Sequence, residues 1–198
     1  MNNLLQSKKF KIGLLVLVVA ALFFMLMLAV KDEDGTFFEG GSSEQTTADK
    51  LDKASEKEDK GEQVILLPKE DIYKFSITDA NGIVLNFERN DEEWIYTDNT
   101  KMDISEDRID KVLNYLSDVR CTKVMTDVNG EDYGLSQLST EYRITDSSDS
   151  TIIISVGNTD EASGDVYFSI NYDFSTVYVN SGKLAKISEY AIQDLMQL

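Results

Sequence analysis

The chain has no histidine, one cysteine and one proline in 198 residues, and its 36 acidic side chains face only 19 lysines and arginines. Each shortage removes a class of function. Without histidine there is no Ser–His or Cys–His nucleophile system and no histidine-bearing zinc site. A single cysteine, Cys121, forms no internal disulfide, so the fold must rest on burial alone. Its alternating neighbourhood (RCTKVM) reads as a small buried apolar side chain rather than a thiol nucleophile. The scarcity of basic residues argues against nucleic acid, whose phosphates demand a cationic surface, and against lying on anionic lipid. Neither G-x-x-x-x-G-K-[ST] nor G-x-G-x-x-G occurs, so nothing supports a phosphate cradle. The acidity itself reads as solubility and mutual repulsion.

Long apolar runs are also scarce, with one exception. Ile12–Val30 (IGLLVLVVAALFFMLMLAV) is 19 residues without a charge. At about 1.5 Å per residue this nearly spans a bilayer's hydrocarbon core as a helix, the form that satisfies its own backbone groups in lipid. A buried helix would carry a polar stripe, and this one has none. A cleaved signal usually has a shorter apolar region of about 7 to 15 residues ending in a small-x-small site. Here a cut after Ala29 would place Met27 at the upstream small position. Lys8, Lys9 and Lys11 precede the run, while Asp32, Glu33 and Asp34 follow it. The positive flank stays inside. The expectation is a cytoplasmic stretch at 1–11, a transmembrane helix at 12–30 and the rest outside.

Residues 31–63 hold Phe37, Phe38 and Leu51 as almost their only large apolar groups. They are expected to form a disordered acidic linker, since little apolar surface is there to offset ordering entropy. Within it, ADKLDKASEKEDK has charges at helical spacings and reads as a transient helix with nothing to pack a core.

The folded domain is expected over 64–198, entered at Pro68. Tyr73, Phe75 and Ile77 alternate with polar residues, Asn81-Gly82 suits a two-residue hairpin turn, and Ile83, Leu85 and Phe87 return. Trp94–Thr97 completes a three-stranded meander. A helix follows, capped by Asp103 or Ser105 (Asp103 with Glu106 fits a capping box), with Ile109, Val112, Leu113 and Leu116 on one face. Arg120–Met125 reads as a strand. In the second half Tyr142 and Ile144 alternate, and TIIISV (151–156) suits a strand buried on both faces. Val166, Phe168 and Ile170 alternate, and Thr176–Val179 follows. A closing helix from about Gly182 presents Leu184, Ile187, Ala191 and Leu195. The fold class is therefore α+β: an antiparallel, β-rich domain with two helices, arranged as two halves of β-meander plus helix. Tyr73…Thr78-Asp79 and Tyr142…Thr145-Asp146 match locally, as a duplication would leave them.

Between the halves lies EDYGLSQLSTEYRIT (131–145). Glu131, Asp132 and Tyr133 can make one helical turn, Gly134 can end it with left-handed backbone, and Leu135 can drop into the core. Trp94 with Tyr96, then Tyr133-Gly134-Leu135 and the T-x-Y-R-I-T strand at 140–145, resemble a bacterial family catalogued as domain of unknown function four-three-four-zero. The resemblance covers roughly residues 70 to 180. It departs at Ser136, where the family often has an acid, and at Gln137-Leu138, where a proline is common. It implies an extracytoplasmic β-rich domain behind a membrane helix, sometimes associated with transporter-like systems, and no catalytic residue.

Candidate chemistry is thin. Glu92 with Glu93 and Asp160 with Glu161 sit in predicted turns, where exposed acids are ordinary. Asp127, Asn129 and Asp132 (DVNGED) come nearest to a calcium loop, but the glycine is misplaced for an EF-hand. Ser147–Ser150 and Asn158–Gly164 read as polar loops. No catalytic, cofactor-binding or metal residue is assigned, and the chain is not expected to be an enzyme. The expectation is a single-pass membrane protein whose outer domain serves as an accessory or interaction module for another envelope protein, in a transporter-like complex. The alternative is a domain for a small molecule or cell-wall saccharide, using Trp94 and the tyrosines as stacking surfaces.

Overall fold

The computed structural model describes residues 46–91 and 93–197. The transmembrane segment expected at Ile12–Val30 and residues 31–45 of the linker lie outside them. Among the described residues no helix is long and apolar enough to cross a membrane.

Two α-helices are described, α1 (Thr47–Ser55) and α2 (Glu106–Leu116). Ten strands accompany them: β1 (Glu62–Leu66), β2 (Ile72–Thr78), β3 (Val84–Asn90), β4 (Glu93–Tyr96), β5 (Asp118–Cys121), β6 (Lys123–Met125), β7 (Thr140–Asp146), β8 (Thr151–Thr159), β9 (Val166–Ile170) and β10 (Val177–Asn180). Eight of them form one antiparallel sheet in the order β4-β3-β2-β7-β8-β9-β10-β6, and β1 pairs with β5 separately. The two meanders meet where β2 and β7 pair, with Phe75 opposite Ile144 and Ser76 opposite Arg143. The two locally similar segments thus lie side by side, in opposite directions, at the centre of the sheet. The α+β, antiparallel reading holds.

One face of the sheet is apolar. Phe75, Ile77, Leu85, Phe87, Tyr142, Ile144, Ile154 and Phe168 belong to a single buried cluster with Leu51 of α1 and Ile109, Val112, Leu113 and Leu116 of α2. Lys74, Glu88 and Arg143 emerge on the opposite face, as expected of an antiparallel sheet covered on one side. These four positions of α2 are those its periodicity marked; Tyr115, a fifth buried residue of the helix, was not among them.

Several details depart from the sequence reading. The linker does not run to residue 63: α1 is a docked helix, with Ala48 and Leu51 each 3% exposed. A capping box starts it, in which Thr46 Oγ1 accepts from the Asp49 amide at 3.2 Å and Asp49 Oδ2 from that of Thr46 at 3.1 Å. Tyr115 donates its hydroxyl to the Leu51 carbonyl at 2.8 Å, and Tyr190 donates to Asp52 at 3.1 Å. Arg108 of α2 reaches both Asp49 (3.2 Å) and Asp52 (3.0 Å). So few apolar residues suffice because the long-range partners come from elsewhere in the chain.

The first hairpin turns on three residues, Ala80–Gly82, rather than two. The Asp79 amide donates to the Ile83 carbonyl at 2.9 Å, and Gly82 (φ +76°) supplies the left-handed position. Helix α2 is capped by Ser105, and Glu106 turns away from a capping box to accept the backbone N–H of Trp94 at 2.6 Å. The expected strand at 120–125 is two strands, because at Thr122 the chain leaves β1 and hydrogen-bonds to Val179 of β10 instead. β8 is buried on both faces only from Ile154 to Val156. The closing α-helix is replaced by two 3₁₀ helices, Leu184–Glu189 and Ile192–Leu195. Leu184 and Ile187 are buried in the first and Leu195 in the second, with Tyr190 buried just past the first. Leu184, Ile187 and Tyr190 are spaced by three, which aligns side chains on a 3₁₀ helix and not on an α-helix.

Candidate functional site

The aromatic residues that carry the saccharide reading are mostly structural. Trp94 is 4% exposed and meets Phe75 edge-on at 5.0 Å between ring centroids. Arg89 lies over its ring at 5.0 Å from the centroid. Tyr96 leans on Phe87, and Tyr133 meets Tyr167 at 5.0 Å. The three sequence candidates are not brought together.

The acidic loops are closed on themselves. Asp160 Oδ1 accepts from the amides of Ala162 and Ser163, each at 2.9 Å, which holds its carboxyl below the usual range. Asp146 also accepts from the amides of Ser148 and Ser150, and Asp79 Oδ1 accepts from those of Asn81 and Ile83. Asp173 accepts from the amide and hydroxyl of Ser175, and its carboxyl is likewise lowered. These carboxylates fasten turns. Asp149 instead accepts from the Tyr73 hydroxyl. Glu161 is exposed, and Glu92 lies outside the described residues.

Asn129 caps a 3₁₀ turn, Gly130–Tyr133, by accepting the Glu131 amide, and its own side-chain amide reaches Asp132 at 3.5 Å. Among the described residues no three Asp, Glu, Cys or His side chains converge as a metal site would need. Cys121 is buried, and burial raises its thiol pKa, the opposite of an activated nucleophile.

Three of the concavities among the described residues are weighed in turn. One of about 560 Å³ lies at the N-termini of α1 and α2 beside the C-terminal segment. Glu106, Asp107 and Asp194 stand there, and the one cation in the lining, Arg108, is already paired with Asp49 and Asp52, so an anion finds no free positive partner. Another, of about 450 Å³, lies on the polar sheet face. Its neighbouring charges are matched internally, Lys74 with Glu88 at 3.4 Å and Arg143 with Glu141 at 2.8 Å.

The third, of about 600 Å³, is at the Tyr-Gly-Leu corner. Gly134 ends the Gly130–Tyr133 turn at φ +76°, ψ +17°, and a Cβ there would come within 2.3 Å of Asn158 Oδ1. Leu135 is fully buried beneath the corner, as the sequence suggested. It sits with Gly130 and Gly157, which leave room for it, rather than in the main cluster. Val128, Leu135, Leu138 and Phe174 give the groove an apolar lining. Leu138 is 95% exposed. The sequence reading did not single out Leu138 or Phe174. Their only local signal is an isolated large apolar residue inside a polar run (SQLS and YDFS).

No known protein family, curated protein or solved structure matches the chain.

Proposed function

We propose that the chain is a membrane-anchored extracytoplasmic accessory domain that works by contacting another envelope protein, in a transporter-like complex. The anchor is Ile12–Val30, with the N-terminus cytoplasmic, as the uncharged run and its lysine flank favour. The observation that carries the reading is the placement of Trp94 and Tyr96, both committed to the apolar face of the sheet. A saccharide site needs exposed rings along a groove, and none of the three concavities is lined by tyrosine or tryptophan.

Crosslinking of the full chain in intact membranes, followed by its recovery, tests the proposal. A specific envelope protein captured with the chain is the expected result. Capture of none, together with binding to purified wall polymer, would replace it with the saccharide reading.

A further inference from the structure

We propose that the Tyr-Gly-Leu corner is the docking site, and that it receives an apolar side chain of a partner segment flanked by lysines or arginines. This rests on the interaction reading and names the surface and the chemistry of its partner.

Leu138 is the first observation. At 95% exposure it stands out even beside Leu66 at 64% and Ile83 at 53%. It is also held in place. The Ser139 hydroxyl donates to the Gly134 carbonyl at 3.0 Å and accepts the Ser136 amide at 2.8 Å. Ser136 Oγ in turn accepts the Leu138 amide at 3.1 Å. A loop fastened this way presents its leucine beside the groove instead of folding it inward, so little ordering entropy is lost on contact.

Charge is the second observation, and it selects the occupant. Residues 126–139 and 171–176, which build the corner, contain Asp127, Glu131, Asp132 and Asp173 and no lysine or arginine. None of these four joins an ion pair among the described residues. The polar sheet face is different, because its acids are matched by Lys74 and Arg143. An apolar groove with Glu131 in its lining, and Asp127, Asp132 and Asp173 on the segments that build it, attracts a cationic segment and repels an acidic one. A second copy of this chain, at net charge −17, is repelled, and so is an anionic lipid surface.

The test uses the full chain and a short synthetic peptide carrying leucines among lysines and serines, followed by fluorescence anisotropy. Two control peptides replace the lysines with glutamates or the leucines with serines. The lysine–leucine peptide should bind, and both controls should bind at least about tenfold more weakly. Leu138→Ser and Glu131→Lys should each weaken binding about tenfold while leaving the thermal midpoint unchanged, and added salt should weaken it further. Absence of binding, equal binding of the glutamate peptide, or indifference to both substitutions would overturn the assignment of this corner. If crosslinking in membranes still captures a specific partner in those cases, the interaction reading stands and only the corner falls. If crosslinking captures none, both fall.

Discussion

Asn180 Nδ2 donates to Asp59 Oδ2 at 2.6 Å, joining positions 121 residues apart. The same fully buried side chain donates to the Arg120 carbonyl at 3.0 Å and accepts from the Leu184 amide at 3.0 Å. Ser181 adds a hydroxyl bond to Asp59, and Lys183 donates to the Lys57 carbonyl at 2.8 Å. One carboxamide therefore ties β10, β5 and the start of the Leu184–Glu189 3₁₀ helix to the α1–β1 connection. Buried polar groups of this kind are costly to strip of partners.

Asn180→Ala should destabilise the domain by about 2–4 kcal/mol, because it leaves an amide and a carbonyl buried without partners. Urea unfolding measures it. A change below about 0.5 kcal/mol, the size typical of neutral surface substitutions, would show that the hub is not structural.

Helix α1 should behave as part of the core. Leu51→Ala is expected to cost about 2–5 kcal/mol, the range for a buried leucine. Amides 51–55 should resist hydrogen exchange to nearly the same extent as those of α2. Rapid exchange there would restore the picture of a flexible tether.

The sequence disclosed α2, the two meanders and the left-handed Gly134, because each follows from local periodicity or one residue's backbone preference. It did not disclose the docking of α1. Only Ala48 and Leu51 mark the buried side, and the anchors Arg108, Tyr115 and Tyr190 lie 50 or more positions away in the chain. The 3₁₀ ending was misread for a related reason. Ile187 with Ala191 fits a helical period, but the side chain drawn into the core is Tyr190, whose hydroxyl seeks Asp52. Leu138, exposed, and Phe174, half-buried, were missed because a lone apolar residue in a loop has no periodic signature.

Gly134→Ala should destabilise the domain by about 1–3 kcal/mol, since φ +76° is strained for a side chain and the new methyl meets Asn158. Tighter urea resistance in the variant would contradict the corner's geometry.

Stability should be flat across neutral pH, because the chain has no histidine to titrate there. The turn carboxyls of Asp146, Asp160 and Asp173 are lowered, so their contribution is present above about pH 4 and lost as acid protonates them. Tyr115 and Tyr190 are raised, and Tyr142 is pushed up to about 12, in each case chiefly by burial. Their neutral forms suit the fold, so stability is intact below about pH 10, where unfolded tyrosine ionises, and falls as pH rises beyond it. Ultraviolet titration should show these three of nine tyrosines ionising only on unfolding. All nine titrating near pH 10 in the folded chain would refute the account of the core.

The most direct test of the outward-facing, anchored arrangement uses the single buried cysteine. In intact cells the unaltered chain should take no label from a membrane-impermeant maleimide. The Glu161→Cys variant, changed in an exposed loop, should be labelled while sedimenting with membranes. Labelling of that variant only after lysis, or its release into the medium trimmed beyond Val30, would contradict the arrangement.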